Sequence, residues 1–331
     1  MAERDAPSGG KLVILDTDPG IDDAMALVHL AAAPEVTLHS VTTVFGNADV
    51  DTVTRNAHFL LDRFGLELPV FAGAAGPVHG PRQELELRVH GSDGFGDTGL
   101  ARGFEPRSTS RKPAWQHIVD TLKARPGRIS ILAIGPLTNL ALALRHDPDI
   151  APLAAQIVVM GGAFGTQGRH GNIRPHAEAN FFQDPTAADE VLAAAWPVTV
   201  VGLDVSTDCI LPSHALRDLA DGGAAGRLLW DISRGYEDIY RKYDGIDGCC
   251  IHDVAAAAYL CAPERFETAR HPLCVERDGP EAGRSAVAIG RTRPDQRYCL
   301  GIDAEATVSD FVQSVIRFDA SSKRDRCHAA R

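Results

Sequence analysis

The sequence lacks long hydrophobic runs and any surplus of positive charge. No stretch of its 331 residues approaches the ~20 apolar residues that a membrane-spanning helix needs, and no apolar segment of the signal-peptide kind precedes Asp16. Lys and Arg total 33 against 44 Asp and Glu, for a formal net charge of −11. Because nucleic acids and anionic membranes attract positive surfaces, we expect neither as a partner. The charge is compatible with a neutral small molecule as the ligand.

Cysteine is sparse and shows no spacing of a structural kind. The seven cysteines are an odd number without a repeated metal-type interval. Cys249 and Cys250 are adjacent, which suits neither a disulfide framework nor a zinc site. We therefore expect reduced thiols and a cytoplasmic protein.

Short apolar runs alternate with helix-like segments along the chain. Predicted strands lie at residues 11–15, 36–44, 69–71, 129–134, 157–160 and 198–201. Predicted helices lie at residues 21–33, 53–64, 115–124, 137–145 and 185–195. This alternation predicts the α/β class, with a Rossmann-like, open and mostly parallel sheet covered by helices on both faces. There is no internal repeat or low-complexity linker, so we predict one domain at residues 11–320 with loose tails at 1–10 and 321–331.

Polar residues follow the apolar runs, at the points where parallel strands would end. In open α/β sheets the ligand site lies beyond the carboxyl ends of the strands, so we expect these residues to converge. They are Asp16, Asp18, Asp22, Asp23, Asn47, Thr138, Asn139, Gly161, Gly162 and Asp204.

The densest group is DTDPGIDD at residues 16–23, with four carboxylates in eight residues. Pro19 and Gly20 predict a turn directly after the first strand, and Asp22 and Asp23 would open the next helix. A helix dipole favours a negative charge by only ~0.3–1 kcal/mol, which is too little to hold several ionised carboxylates together. A bound cation would offset their repulsion, and oxygen ligands select a hard ion, calcium or magnesium.

Two other interpretations of this segment stay open on the residues alone. Asp22 and Asp23 could simply cap the helix, as single acidic residues often do. An aspartate-nucleophile phosphatase also carries Asp-x-Asp after its first strand, although that chemistry does not call for the Asp-Asp pair. No evident Lys or Arg clamp for a phosphate lies near residues 16–23, which counts against the phosphatase.

The stretch DTDPGIDDAMAL closely resembles the N-terminal signature of the inosine–uridine nucleoside hydrolase family. The resemblance implies that Asp18 binds calcium and acts as the general base. It also implies that Asp22 contacts the ribose and that Asp23 binds calcium through both oxygens. Asp16 would support the loop from behind.

Further segments resemble the same family in the same order along the chain. TVFGN at residues 43–47 resembles the turn whose Asn47 approaches the ribose. IGPLTN at residues 134–139 resembles the loop in which the backbone carbonyl of Ile134 would bind calcium. VHGSDG at residues 89–94 resembles a glycine-rich loop suited to closing over substrate. His90 would contact the base there, and a plain turn is the alternative.

A third block, MGG at residues 160–162 and NIRPHAEAN at 172–180, resembles the family's sugar-binding region. Asn172 and Glu178 would bind the ribose 5′-hydroxyl, Asn180 would bind the 2′/3′ side, and Met160 would pack on the sugar. A neutral sugar is recognised by hydrogen bonds, which these amide and carboxylate groups supply. Two features depart from the family pattern. Ala179 stands where many members have Phe, and the loop at 163–171 is slightly long and basic.

The last block, GCCIHD at residues 248–253, resembles the element that begins a late helix, where Asp253 completes the calcium site. His252 would sit against the leaving base and donate a proton. Tyr236 and Tyr240, four apart on the preceding helical stretch, could stack on the base or relay that proton, although such a pair more often packs in a core.

Taken over residues 11–260, the resemblance implies calcium-dependent hydrolysis of ribonucleosides to ribose and free base, with water activated by Asp18. His252 stands where purine-specific relatives carry Trp, which favours an inosine–uridine range that leans to uridine. The resemblance further implies a homodimer or homotetramer. The alternatives are a metal-dependent phosphatase and an inactive nucleoside-binding relative. Every predicted calcium ligand is present, which argues against the inactive relative.

Overall fold

Nine strands form one central sheet in the computed structural model, which describes residues 10–83, 89–106, 109–173, 175–290 and 292–329. In chain order the strands are β1 (Lys11–Thr17), β2 (Val36–Thr43), β3 (Val70–Ala72), β4 (Ile129–Ala133), β5 (Gln156–Met160), β6 (Val198–Val201), β7 (Ile210–Pro212), β8 (Gly248–Cys250), β9 (Phe266–Val275), β10 (Ser285–Val287) and β11 (Asp295–Ile302). The order across the sheet is β10-β9-β11-β6-β5-β4-β1-β2-β3, and β7 pairs with β8 apart from it. Neighbours from β3 across to β11 are parallel, whereas β9 is antiparallel to both β11 and β10.

Helices connect these strands and cover the sheet. In chain order they are α1 (Ile21–Ala32), α2 (Val50–Phe64), α3 (Ala114–Ala124), α4 (Thr138–His146), α5 (Ala179–Gln183), α6 (Pro185–Ala193), α7 (Leu203–Ser206), α8 (Ser213–Gly222), α9 (Ala224–Tyr243), α10 (His252–Cys261) and α11 (Ala304–Ala329). Over the described residues, no helix combines the length and the apolar character that crossing a bilayer requires.

The central strands are aliphatic along their whole length because both of their faces are buried. In β1, Val13 and Leu15 pack into one hydrophobic core with α1, α9 and α10. Leu12 and Ile14 pack into a second core on the opposite face, with α3, α4 and α6. A parallel sheet needs such covering on both faces. The predicted α/β fold, a mostly parallel sheet between two layers of helices, is therefore confirmed.

The predicted strands and helices all form, with small shifts at their ends. The largest shift is in α2, which begins at Val50 rather than at residue 53. Asp49 caps that first turn by accepting a hydrogen bond from the Thr52 N–H at 2.8 Å. The N–H groups in the first turn of a helix have no acceptor within the helix, and the Asp49 side chain supplies one. The helix therefore begins three residues before the apolar pattern that predicted it.

The C-terminal end of the chain differs from the prediction. Helix α11 runs to Ala329, so residues 321–329 are helical instead of forming a loose tail. This stretch contains neither Pro nor Gly, and each residue added to an existing helix gains a backbone hydrogen bond. The polar composition of this stretch therefore did not predict its secondary structure. Of the tail predicted at residues 1–10, all but Gly10 lies outside the described residues.

The register of the parallel strands brings several loops to one edge of the sheet. Asp16 of β1 lies opposite Ala133 of β4, and Ala133 lies opposite Val159 of β5. The residues that follow each strand leave the sheet side by side, as the rule for open α/β sheets predicts.

Asp319 ties the last helix to α9. Its Oδ1 accepts a hydrogen bond from the Ala225 N–H at 2.9 Å, and its Oδ2 accepts from the Gly226 N–H at 3.1 Å. The N-cap residue of α9 is Gly223, which has no side chain to serve these amides. Asp319 is only 6% exposed, so its bonds are shielded from water.

We expect Asp319→Ala to lower the free energy of unfolding by about 1–2 kcal/mol, because two first-turn amides of α9 lose a buried acceptor. Urea unfolding at constant pH measures the change. The matched control is Asp238→Ala, since the Asp238 side chain is 74% exposed and pairs with Arg241 at the surface. A loss for Asp319→Ala no greater than for the control would contradict the prediction.

Candidate active site

A cavity of about 880 Å³ lies at the carboxyl ends of the parallel strands. It brings together residues that are far apart in the sequence. The predicted site residues that line it are Asp22, Asn47, His90, Ile134, Met160, Asn172, Glu178, Asn180, Tyr236, Tyr240, His252 and Asp253. The two other predicted residues, Asp18 and Asp23, lie behind this surface and are 1% and 2% exposed.

Three buried carboxylates meet where α1 and α10 begin. One oxygen from each of Asp22, Asp23 and Asp253 lies within 4.8 Å of the other two. The Asp253 N–H also donates to Asp22 Oδ2 at 3.4 Å. Both helices direct the positive end of their dipoles at this point. Asp22 was expected to contact the sugar, and the geometry also makes it a member of the acidic cluster.

Asp18 follows β1 and lies between two glycine turns. Its Oδ2 accepts a hydrogen bond from the Asn47 N–H at 2.7 Å. Its Oδ1 is buried and has no hydrogen-bond partner among the described residues. A Cβ atom on Gly46 would lie 1.8 Å from Oδ2, and one on Gly135 would lie 2.6 Å from Oδ1. Only glycine permits both approaches, and they leave one carboxylate oxygen unpaired inside the protein.

Side chains behind the cluster hold its backbone in place. Asp16 Oδ1 accepts hydrogen bonds from Thr42 Oγ1 at 2.6 Å and from Asn139 Nδ2 at 2.8 Å, so it supports the end of β1 from behind. Asp23 Oδ2 accepts from the Gly20 N–H at 2.8 Å and from Asn47 Nδ2 at 3.1 Å. The turn is therefore ordered by its own hydrogen bonds.

Burial and mutual repulsion destabilise the charged form of these carboxylates. Burial, followed by the charge of Asp23, raises the pKa of Asp18 well above its usual range. Burial, followed by the charges of Asp22 and Asp23, does the same to the pKa of Asp253. Burial raises the pKa of Asp22 and of Asp23 to about 6. Negative groups crowded in this way are stabilised by a cation.

The donor set fits a hard divalent cation. All the candidate ligands are oxygens, and one of them, Asp18 Oδ1, has no hydrogen-bond partner in the part of the chain that the structure describes. The Ile134 carbonyl oxygen is at the same edge, where it accepts a hydrogen bond from Asn180 Nδ2 at 3.1 Å. Carboxylate and carbonyl oxygens without thiolate or imidazole are typical of calcium and magnesium sites.

The side of the cavity predicted to hold the sugar is built around Glu178. Its carboxylate caps α5, accepting from the N–H groups of Asn180 at 2.8 Å, Gly162 at 2.8 Å and Phe181 at 3.1 Å. Burial raises the pKa of Glu178 to about 7. The position of Asn172 is different, because its side chain is exposed and accepts a hydrogen bond from the Ala179 N–H at 3.1 Å.

The opposite side of the cavity carries a chain of hydrogen-bonded side chains. His252 Nε2 lies 2.9 Å from Tyr240 Oη, and His252 Nδ1 lies 2.9 Å from Ser206 Oγ. Tyr236 Oη lies 3.4 Å from Tyr240 Oη and donates to the Cys250 carbonyl at 3.2 Å. Burial lowers the pKa of His252 to about 4, so the imidazole is neutral at pH 7.

His90 packs into the site. The Ile21 N–H donates to its Nδ1 at 3.2 Å, and its Nε2 lies 3.8 Å from Asp22 Oδ1. Its ring stacks on Tyr236 with 5.1 Å between ring centroids. The glycine-rich loop at residues 89–94 thus contributes the His90 side chain to the cavity.

Some residues at the site were not predicted from the sequence. Arg169 and Asp208 line the cavity, and the buried Ser206 contacts His252 from behind it; all three belong to segments without a recognisable motif. The available signals were the basic character of the loop at 163–171 and the position of Asp204 after the sixth apolar run. Asp204 is buried and accepts from the N–H groups of Phe164 at 2.8 Å and Thr166 at 2.7 Å, so it holds that loop against α7.

The fold and the site together define a class of protein. It is an α/β protein whose parallel strands end at an acidic, oxygen-lined pocket with a neutral histidine–tyrosine chain on one wall. Such a pocket suits a divalent cation together with a small polar molecule.

Comparisons with known proteins identify the family within that class. The family model for inosine-uridine preferring nucleoside hydrolases matches residues 13–309. Probable uridine nucleosidase 2 of Oryza sativa subsp. japonica is 38% identical over 288 residues, which cover 86% of this chain and 84% of that protein. The pyrimidine-specific ribonucleoside hydrolase RihB of Escherichia coli O157:H7 is 35% identical, with 91% and 93% covered. The solved structure of a plant nucleoside hydrolase, PpNRh1, aligns with a TM-score of 0.87 at 31% identity, over 92% of this chain and 99% of that one.

The chain therefore belongs to the inosine–uridine preferring nucleoside hydrolase family, and it is a hydrolase that acts on N-glycosyl bonds. The family predicted from the motifs is confirmed.

We expect Gly46→Ala to reduce ribose release at least about tenfold, because the new methyl group would displace the Asp18 carboxylate. Steady-state ribose release from uridine measures the effect. Gly76→Ala is the matched control, because a Cβ there meets no atom within 4 Å. Equal turnover in the two variants would mean that the position of Asp18 does not matter to the reaction.

Proposed function

We propose that this enzyme hydrolyses ribonucleosides to ribose and free base with the help of a calcium ion, in an inosine–uridine range that leans to uridine. The observation that carries the proposal is the convergence of Asp22, Asp23 and Asp253, of which Asp22 and Asp253 line the cavity and Asp23 lies just behind it. The buried Asp18 Oδ1, which has no hydrogen-bond partner among the described residues, supports the same proposal. The name of the uridine nucleosidase relative supports the preference for uridine, and that of the pyrimidine-specific relative supports a pyrimidine base.

Asp18, Asp23, Asp253 and the Ile134 carbonyl would hold the ion, and Asp22 stands at the same cluster. A bound calcium ion would supply positive charge that fixes sugar hydroxyls and makes a neighbouring water more acidic. The raised pKa values of these carboxylates are consistent with groups that need such a charge nearby.

Asp18 would act as the general base. Its Oδ2 is fixed by the Asn47 N–H, and the carboxylate oxygen that does not hold the ion would accept a proton from the attacking water. Breaking the bond between C1′ and the base nitrogen develops positive charge on the ribose, as in glycoside hydrolysis. The surrounding carboxylates stabilise that charge, and water adds directly at C1′ without a covalent enzyme intermediate.

Contacts to the sugar would set its position and shape. Asp22, Asn47 and Asn180 would bind the side that carries the 2′- and 3′-hydroxyls, while Asn172 and Glu178 would bind the 5′-hydroxyl. Met160 would pack on the ring. Binding energy from these hydroxyls can distort the ribose toward the planar transition state.

His252 would deliver a proton to the leaving base. The imidazole is neutral and both of its nitrogens are hydrogen-bonded, Nδ1 to Ser206 and Nε2 to Tyr240. The transfer would therefore run through Tyr240: its hydroxyl proton would pass to the base, the Nε2 proton would replace it, and a proton taken up at Nδ1 through Ser206 would restore the neutral ring. Tyr236 and His90, which stack on each other, would form the wall against which the base lies.

We also propose that the enzyme works in the cytoplasm as a homodimer or homotetramer, as the family resemblance implies. Six of the seven cysteines are free, namely Cys209, Cys249, Cys250, Cys261, Cys274 and Cys299, which suits a reducing compartment. Light scattering during gel filtration measures the oligomeric state.

Ribose release from uridine, inosine, cytidine and adenosine, with and without a calcium chelator, tests the function. We expect release from uridine and inosine, loss of that release with chelator, and recovery on adding Ca²⁺. If none of the four substrates released ribose, the proposed function would be wrong. Full activity in excess chelator would show that the reaction does not depend on calcium.

Two substitutions separate the roles of the carboxylates. We expect Asp18→Asn to lower kcat by about 10²–10⁴-fold, as loss of a general base does. Asp253→Ala should weaken Ca²⁺ binding measured by calorimetry. Wild-type turnover in the first variant, or wild-type affinity in the second, would contradict the corresponding assignment.

The role of His252 can be tested through the leaving group. We expect His252→Ala to lower kcat about 10²–10⁴-fold with uridine, but only slightly with p-nitrophenyl riboside, whose leaving group needs no proton. His29→Ala is the control, since His29 is buried on α1 and does not line this cavity. Equal losses with both substrates would exclude proton donation by His252.

A further inference from the structure

One ion pair in the cavity has no part in the chemistry described above. Arg169 Nη2 lies 2.6 Å from Asp208 Oδ1, with the two side chains 30% and 37% exposed. Both residues line the cavity, and Arg169 is the only arginine or lysine among its described lining residues. Every other charged group there is a carboxylate, so this guanidinium is the one permanent positive charge that the cavity offers.

The guanidinium is held in place by more than its partner carboxylate. Arg169 Nη1 donates to the Asp204 carbonyl at 2.9 Å. The Arg169 carbonyl accepts from the Gly165 N–H at 3.0 Å, which closes the loop on itself. The Asp204 carboxylate anchors the same loop through its bonds to Phe164 and Thr166. Both the guanidinium and the backbone of Arg169 are therefore held, so its side chain loses little conformational entropy when it binds a ligand.

The pair lies on the wall that faces the base, according to its neighbours. Asp208 comes two residues after Ser206, which contacts His252. The intervening Thr207 carbonyl accepts a hydrogen bond from Cys250 Sγ at 3.6 Å, and the Cys250 carbonyl accepts from Tyr236. These contacts connect the ion pair to the histidine–tyrosine chain.

We propose that Arg169 and Asp208 recognise the edge of the base farthest from the sugar and select bases that carry a carbonyl beside an N–H. Uracil presents C4=O next to N3–H, and hypoxanthine presents C6=O next to N1–H. The guanidinium donates to the carbonyl, and the carboxylate accepts from the N–H. Cytosine and adenine present an amino group beside an unprotonated nitrogen at the same atoms, which is the reverse pattern.

The same arrangement also favours departure of an oxo base. When the bond to C1′ breaks, negative charge spreads over the ring of the base and onto its carbonyl oxygens. A guanidinium already positioned at one of these oxygens stabilises that charge more strongly than it stabilises the neutral base. We therefore expect Arg169 to contribute to kcat as well as to substrate choice.

This inference rests on the proposed function, and the test distinguishes the two. The experiment measures kcat/KM for ribose release from uridine, cytidine and 3-methyluridine, whose N3–H is replaced by a methyl group. In the wild type we expect uridine to exceed each of the others by about tenfold or more, the difference that one hydrogen bond to a charged group makes. Absence of ribose from every substrate would overturn the proposed function itself.

Variants of the pair then decide the inference. We expect Arg169→Ala and Arg169→Gln to lower uridine turnover about ten- to hundredfold while leaving cytidine turnover within about twofold. Asp208→Ala should remove the discrimination against 3-methyluridine. Arg145→Ala is the matched control, because Arg145 forms a similar ion pair with Glu190 that does not line the cavity, and it should change no ratio.

Three results would contradict the inference. An active Arg169→Gln enzyme with a wild-type ratio of uridine to cytidine would overturn the inference, as would undiminished discrimination against 3-methyluridine in Asp208→Ala. Equal losses on all substrates would show that the ion pair only holds the loop, and would overturn it too.

Discussion

Repulsion between buried carboxylates is the constraint on which the rest of the structure depends. Asp18, Asp22, Asp23 and Asp253 are all buried, and the charge of each makes ionisation of its neighbours harder. Proteins bury such charge only where dipoles, hydrogen bonds or a cation compensate it. Two helix starts and the hydrogen-bond donors around Asp23 provide part of this compensation at one point, and the cavity is built around it.

The parallel sheet is what makes that concentration possible. Adjacent parallel strands end at the same edge, so the turns after β1, β4 and β5 meet there. Gly46 and Gly135 then let backbone approach the Asp18 carboxylate more closely than any side chain would permit. On the far side of the cavity, α9 supplies Tyr236 and Tyr240, and α11 fixes the start of α9 through Asp319. The helices that stabilise the fold therefore also position the side chains of the site.

What could be predicted from the sequence follows from the range of each interaction. Strands buried on both faces appear as continuous aliphatic runs, and the acidic turn appears as a local motif, so the fold and the family could be predicted. The hydrogen bond from Ser206 to His252 and the ion pair of Arg169 with Asp208 join segments far apart in the chain, and polar pairs of this kind leave no periodic pattern. The end of α11 was missed for the opposite reason. Its composition suggested a solvated tail, while continuity with a formed helix decided its structure.

The distribution of the acidic cluster along the chain has a consequence for how the protein is made. Asp22 and Asp23 leave the ribosome early, whereas Asp253 and α10 lie about 230 residues later. At ordinary rates of translation this interval lasts roughly 10–50 s. During it, β1 can pair with β2 and β4, but the carboxylates of α1 wait without the helix that will complete their site. Folding of the N-terminal half in the cell thus has to tolerate an unfinished, strongly acidic edge until the last third of the chain arrives.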